Sequence, residues 1–265
     1  MRVLVGWLDE LTARRLVRSR AVGAGGEAWC DAAVRAAAGA VAARAARSAD
    51  DAIVGPALLS GAVRERLERG GEDPARVAVV DLTRLRARQP FVFTDTPVAG
   101  AETDEGRTEM TLPGPGGAPE VRFDEGARAF RAVSRDQNLQ VLGEFCGEIP
   151  GIPEGSVAVG FVLAAPRRPL RVVVQDGCGV LVDGHHRAVA LLAAGHREVT
   201  AVIERDGLAS HGAEGLLDDA LCLGPRAPTL ADYLDDEVAL DAALHHVGRE
   251  VVVGALERDL GPQRA

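Results

Sequence analysis

The sequence predicts an α/β protein of the α+β type, built around a small mixed sheet. Four short segments are apolar and rich in β-branched residues, which favours buried strands: residues 157–164, 170–175, 179–182 and 199–203. Residues 27–47 and 188–194 are rich in alanine and other helix formers. Asp176-Gly177 separates two of the predicted strands, as in a β-hairpin.

Length and composition restrict the function classes. At 265 residues the chain is long enough for one large domain or two small ones. The formal net charge of −9 argues against broad, non-specific binding of nucleic acid, although a local basic patch is compatible with it. Aromatic residues make up only 3% of the chain, so stacking platforms for single-stranded nucleic acid are not expected.

The four cysteines are scattered, and none forms a C-x-x-C pair, which disfavours a zinc ribbon and a disulfide framework. One of them, Cys178, follows the Asp176-Gly177 turn and is expected to be an exposed thiol at the hairpin tip. No signal peptide and no bilayer-spanning apolar run are found. We therefore expect a cytoplasmic protein without a membrane partner.

The order of patterns predicts four segments. Residues 1–98 form a helix-rich N-terminal lobe, 99–119 a linker or loop, 120–206 the core, and 207–265 a C-terminal helical segment. In the lobe, helices are predicted over 9–22, 27–47 and 56–68, and strands over 76–82 and 90–94.

The remaining elements follow from local signals. The density of Pro and Gly in 99–119 is typical of a linker. Residues 120–123 are predicted as a strand and 125–133 as a helix. Near the end, 213–221 is a predicted short helix, and Thr229 and Asp232 have the spacing of a capping box. Two amphipathic helices should follow to residue 260, one of them carrying His245 and His246.

The candidate site is the turn Asp183-Gly184-His185-His186-Arg187, between a predicted strand and the helix that starts near Ala188. Backbone N–H groups at a helix N-terminus, together with the helix dipole, bind phosphate well. A glycine lets the backbone approach a ligand, an arginine fork suits phosphate oxygens, and a histidine donates hydrogen bonds or moves protons. The alternative is an ordinary Asp-Gly turn in which the aspartate only caps the helix.

This turn, with its preceding strand and its following Leu-x-x-x-Gly-x-x-x-Val pattern, resembles the nucleotide-binding signature of the ParB/sulfiredoxin superfamily. The D-G-H-x-R form is most similar to the free-serine-kinase-like branch of that superfamily. The resemblance covers about residues 170–204. Sulfiredoxins carry a reactive cysteine where this chain has His185, so their reductase chemistry is not expected here. ParB proteins continue into a basic helix-turn-helix that this sequence lacks.

The resemblance implies a nucleotide-dependent phosphotransferase that acts on a small molecule. It implies that Gly184, His185, His186, Arg187 and Ala188 hold the nucleotide, which is ATP or ADP, with CTP as a further option. Asp183 is then the expected ligand of Mg²⁺, and with His185 and His186 it forms the expected catalytic set.

A general base is also needed to take the proton of the acceptor hydroxyl. Glu144 and Glu148 are the candidates for this role, and for each of them a surface carboxylate is an equally good interpretation.

Two alternatives stay open. A nucleotide-gated, DNA-associated adaptor similar to ParB would show a basic stripe on its surface. A ParB-like nuclease would need a cluster of carboxylates holding a metal beside a nucleic-acid groove. The sequence leaves the oligomeric state undetermined.

Overall fold

The computed structural model divides the chain into two units. The first comprises Met1–Gly114 and Arg168–His246, and the second comprises Pro115–Arg167 and Val247–Ala265. The structure describes residues 1–17, 26–46, 52–94, 101, 103–112, 118–134, 138–147, 153, 156, 158–212, 217–242 and 249–254.

Helices and strands alternate irregularly along the described chain. The strands are β1 (Arg2–Val3), β2 (Ile53–Pro56), β3 (Val77–Asp81), β4 (Arg86–Ala87), β5 (Phe91–Val92), β6 (Glu120–Asp124), β7 (Ala129–Ser134), β8 (Gln140–Gly147), β9 (Ala158–Ala164), β10 (Arg171–Gln175), β11 (Cys178–Asp183), β12 (Glu198–Glu204), β13 (Leu240–Asp241) and β14 (Arg249–Gly254). The α-helices are α1 (Glu10–Val17), α2 (Gly26–Ala43), α3 (Gly61–Arg69), α4 (Asp104–Thr111), α5 (His185–Ala193) and α6 (Asp219–Leu223).

The first unit is organised around a six-stranded sheet with the order β2-β3-β12-β10-β11-β4. β10 is antiparallel to β11 and parallel to β12, and β11 is parallel to β4, so the sheet is mixed. The α+β class predicted from the sequence is therefore confirmed. The β10–β11 hairpin is confirmed too: Asp176 and Gly177 both have positive φ, 52° and 74°, as a type I′ turn requires.

The core of the first unit is almost entirely aliphatic. Fully buried valines and leucines of β10 and β11, among them Val172, Val180 and Leu181, pack against buried residues of α5 such as Leu191. Covering this apolar surface is the main driving force for docking α5 on the sheet. A smaller sheet, β13-β1-β5, packs with α1 and α2 around a second cluster that includes Val5, Val17 and Val34.

The second unit contains two separate antiparallel sheets. Three strands form the sheet β14-β7-β6, and β8 pairs with β9 in a two-stranded ribbon. The sheet and the ribbon meet in a small buried cluster formed by Ala132, Leu139 and Ala165.

These units do not follow the four segments suggested by the sequence. Residues 120–206, predicted as one core, are divided near Arg168, and residues 1–114 share a core with the β10–β12 strands. The reason is strand pairing between distant parts of the chain: β3 lies beside β12, and β4 lies beside β11.

Several predicted elements are wrong. Residues 125–133 are not helical, because β7 pairs with both β6 and β14. The 99–119 segment contains α4, whose N-terminus is capped by the side chain of Thr103. Pro56 ends β2 instead of starting a helix, and Ser60 caps α3.

The C-terminal segment also differs from its prediction. The capping box of Thr229 and Asp232 is confirmed, but it starts a short 3-10 helix, Leu230–Leu234. β13 and β14 then occupy parts of the stretch predicted as two amphipathic helices, while His245 and His246 lie outside the described residues. No helix among the described residues has the length and apolar character needed to cross a membrane.

Candidate functional site

The predicted turn lies between β11 and α5, as expected. Gly184 is the N-cap of α5, with φ 90° and ψ 20°, and as a glycine it provides no side-chain cap. A Cβ atom at Gly184 would lie 2.1 Å from Cδ2 of Leu170 and 3.3 Å from Nη2 of Arg187. The left-handed backbone and the contact with Leu170 both require glycine, so the fold itself explains Gly184 before any ligand is considered.

His185 is buried, with 3% of its surface exposed. Its Nε2 accepts hydrogen bonds from the backbone N–H groups of Arg88, at 3.2 Å, and Gln89, at 3.3 Å. The ring also donates to the carbonyl of Leu181. Burial, with a further contribution from the adjacent His186, lowers the pKa of His185 to about 3. His185 is therefore a neutral imidazole with both ring nitrogens engaged, which corrects its assignment as a phosphate ligand and proton carrier.

His186 is half-buried beside β5. Its Nδ1 accepts a hydrogen bond of 3.0 Å from the backbone N–H of Phe93, and its ring packs against the Phe93 ring at 5.1 Å between centroids. With Nδ1 accepting, the proton of the neutral ring lies on Nε2. In this tautomer Nε2 is the hydrogen-bond donor of the ring.

Arg187 and Asp183 flank the positive end of α5. Both are half-buried, and Arg187 places Nη2 close to the Cα of Gly184. Asp183 ends β11 opposite Arg171, whose guanidinium pairs with Glu72 and Glu204. A carboxylate thus directly precedes the N-cap glycine in the chain, and a guanidinium follows it in the first turn of α5.

Ala188 has a different position from the one the resemblance implied. Its side chain is fully buried, and its N–H donates to the carbonyl of Gly184 at 3.0 Å in the first hydrogen bond of the helix. That N–H group is already used, so only the N–H groups before it are oriented for a ligand at this helix end.

The two candidate bases belong to a different part of the chain from this turn. Glu144 is an exposed residue of β8, in the second unit, and Glu148 lies outside the described residues. Within the described part of the chain, no group of three or more His, Cys, Asp or Glu side chains is arranged to hold a metal ion. A magnesium ion at Asp183 would thus need phosphate oxygens and water as its other ligands, which is common for Mg²⁺.

Sequence reasoning missed the neighbourhood of Arg88. Only 1% of Arg88 is exposed, and its Nε and Nη2 both donate to Oδ1 of Asp219, at 3.1 and 2.8 Å. Its Nη1 is buried without a hydrogen-bond partner. Tyr233, fully buried, donates its hydroxyl proton to the carbonyl of Gln89. Arginines alternate along this stretch at Arg84, Arg86 and Arg88, a pattern typical of a strand exposed to solvent. Nothing in the local sequence therefore indicates that Arg88 is buried.

Segment 86–89 is joined to Asp219 and Tyr233 by these contacts, and to the start of α5 by its hydrogen bonds to His185. Burial raises the pKa of Tyr233 well above its ordinary value and that of Cys222 to about 11, so both side chains are neutral donors.

Cys178 is also buried, with 3% exposed, which corrects the expectation of an exposed thiol at the hairpin tip.

No family model matches this chain, and no curated protein or solved structure is significantly similar to it.

Proposed function

We propose that the turn between β11 and α5 binds the phosphate groups of a nucleotide, and that the protein uses the nucleotide to phosphorylate a small molecule. The observation that supports this best is the N-terminus of α5. It is a nine-residue helix whose N-cap is a glycine in the left-handed region, which provides no side chain of its own, with Asp183 before this glycine and Arg187 in the first turn.

The arrangement fits an anion chemically. The first N–H groups of a helix carry partial positive charge and point outward, and a side-chain cap is the usual group that occupies them. Without a cap, phosphate oxygens take the place of that side chain. Arg187 supplies a forked donor, and Nε2 of His186 supplies a further proton.

The roles within the turn are accordingly narrower than those the resemblance implied. Gly184 and the first backbone N–H groups bind phosphate, Arg187 neutralises charge, and His186 donates a hydrogen bond. Asp183 is the residue that would hold Mg²⁺, which supplies charge neutralisation when bound. His185 is a positioning residue, since it joins α5 to the backbone of Arg88 and Gln89.

The test is calorimetric titration with ATP, ADP, CTP and GTP in the presence of Mg²⁺. We expect one nucleotide to bind the wild-type protein and Arg187→Ala to reduce its affinity at least tenfold, about 1.4 kcal/mol. The matched control is Arg205→Ala, because that side chain is 77% exposed and lies outside the turn. The control should bind like the wild type. Absence of binding by folded wild-type protein, or equal losses in both variants, would overturn the proposal.

Phosphoryl transfer is tested separately, once a nucleotide binds. Free serine is the first acceptor to try, since the resemblance is to a free-serine-kinase-like branch. Phosphorus NMR of the mixture should show a phosphomonoester with wild-type protein and none with Arg187→Ala. Nucleotide binding without a new ester for any hydroxyl acceptor would restrict the function to binding.

A further inference from the structure

The three-stranded sheet of the second unit has two chemically different faces. One face carries charged residues that pair with each other: Arg131 with Asp124 at 2.9 Å and with Glu250 at 3.2 Å, and Arg122 with Glu120 at 2.5 Å. An antiparallel sheet commonly has one solvated face of this kind and one face packed on a core. The charged face is therefore the solvent side of the sheet.

The opposite face is apolar and only partly covered. Cross-strand pairing places Val121 beside Ala132 and Phe123 beside Phe130. Ala132 is buried, but Val121, Phe123 and Phe130 are each 54% exposed. The two phenylalanine rings lie 5.0 Å apart. We call Val121, Phe123 and Phe130 the sheet patch.

The ribbon of β8 and β9 is the second exposed apolar surface, and we call it the arm. Its base is buried, because Leu139, Leu163 and Ala165 pack on the sheet near Ala132. Its further part is exposed on both faces, with large apolar side chains at Val141, Leu142, Phe145, Val159, Phe161 and Val162.

Two properties of the arm are unusual for a pair of strands that stays exposed to water. Glu144 is the single charged residue of β8 and β9, whereas natural edge strands usually carry charges that prevent association. A two-stranded ribbon is also only marginally stable in water unless something packs on it. An eight-residue strand reaches about 25 Å, so the arm is long enough to extend over a neighbouring molecule.

We infer that the arm of one chain packs on the sheet patch of a second copy, and that the second copy returns the same contact in a two-fold symmetric dimer. Both surfaces are apolar, and they lie on the same unit. A two-fold axis can therefore bring each arm to the other copy's sheet patch in one closed assembly.

The exposed area is enough for a dimer interface of modest size. Phe161 pairs with Glu144 and Phe145 with Gly160, so the two phenylalanines of the arm lie on opposite faces, and one arm face carries only Phe161. Together with the sheet patch this gives three phenylalanines, Phe123, Phe130 and Phe161, which are 42% to 54% exposed. Since an aromatic side chain buries about 150–250 Å² when covered, they contribute about 200–400 Å² per chain. The exposed Val121 and Val159 of the same surfaces bring the total to roughly 500 Å² per partner, about 1,000 Å² in all, which is the low end for a specific interface.

The first experiment is sedimentation velocity across a dilution series of wild-type protein, with Phe161→Asp on the arm and Phe123→Asp on the sheet patch. We expect wild-type protein to sediment as a dimer and both variants as monomers. Leu58→Asp is the control, because Leu58 is 99% exposed in the first unit, and it should remain dimeric. Circular dichroism must show that each variant is folded. A monomeric wild type, or a dimeric Phe161→Asp, would overturn the inference.

Mixing the two variants tests the reciprocal contact. In a mixed dimer, the intact arm of Phe123→Asp meets the intact sheet patch of Phe161→Asp, so one of the two contacts is restored. We expect dimers to reappear in the mixture, with lower affinity than in the wild type. If the arms instead paired with each other, mixing would restore nothing, and that result would overturn the proposed arrangement.

A chemical probe gives an independent measurement. Cys146 is exposed and lies opposite Val159 on the arm. Its alkylation should slow as wild-type protein is concentrated and should be independent of concentration in Phe161→Asp. Alkylation at the same rate at all wild-type concentrations would contradict coverage of the arm.

Discussion

The β10–β12 strands and the β8–β9 arm have similar apolar sequences, but the strands are largely buried and the arm is largely exposed. Both are rich in valine and other apolar residues. Val172 and Val180 of the first unit are fully buried, whereas Val159 of the arm is 69% exposed. Strand propensity does not explain this difference. The first unit has a helix and further strands to pack on its sheet, while the arm emerges from a small cluster at its base. An apolar strand thus becomes core only where other elements cover it.

The largest expected effect comes from truncating one leucine in each region. Leu181→Ala in β11 should lower the free energy of unfolding by about 3 kcal/mol, since it leaves a cavity in a filled core. Leu142→Ala in the arm, where the side chain is 56% exposed, should change it by less than about 0.5 kcal/mol. Urea unfolding followed by tryptophan fluorescence makes the comparison, because Trp7 and Trp29 both lie in the first unit. Equal losses would show that the exposure of these two leucines does not determine their contribution to stability.

A second pair separates backbone strain from steric fit at the two ends of α5. Gly184 and Gly195 both have φ of 90°, but a Cβ atom would collide with Leu170 only at Gly184 and would meet nothing at Gly195. Gly195→Ala should cost about 1 kcal/mol, the penalty of the left-handed region alone. Gly184→Ala should cost about 2–3 kcal/mol, since Leu170 must also move. Urea unfolding of both variants measures the two losses in the free energy of unfolding. Similar losses would mean that Leu170 can move aside without cost.

The smallest expected effect is the pH dependence due to His185. Its pKa is about 3 in the folded protein against an ordinary 6.5. Protonation therefore favours the unfolded chain, and the contribution of His185 is complete above about pH 6.5 and is lost as pH falls toward 3. Between pH 6.5 and 5 this loss amounts to about 1.5 kcal/mol.

The matched variant is His185→Gln, which is neutral at every pH. It should be less stable than wild-type protein at pH 7, and the stability difference should shrink as pH is lowered to 5. A difference that is the same at both pH values would show that His185 becomes protonated without cost in the folded protein.

Local rules predicted much of the region around α5. The hairpin turn at Asp176-Gly177 and the capping box at Thr229 each depend on a few adjacent residues, and the structure confirms both. The helix predicted over 125–133 failed because β7 pairs with β14, more than a hundred residues further along the chain. The spacing of Phe130 and Val133 fits a helix as well as two faces of a strand.

The candidate site shows the same division. The position of the turn, its glycine and its arginine were readable from the sequence, because they belong to one continuous segment. The role of His185 could not be predicted from the sequence, because it depends on the backbone of Arg88 and Gln89, nearly a hundred residues away. The ion pair of Arg88 with Asp219 was equally invisible.

The sequence by itself determined the α+β class, the hairpin and the presence of a helix after the candidate turn, because these follow from short-range backbone geometry and from the pattern of apolar residues; the helix starts at His185, earlier than the predicted Ala188. Only the tertiary structure decided which apolar strands are buried, that His185 is buried and hydrogen-bonded to a distant segment, and how the chain divides into units. Those properties depend on contacts between distant segments, and burial and dielectric environment are set by the partners that such contacts supply.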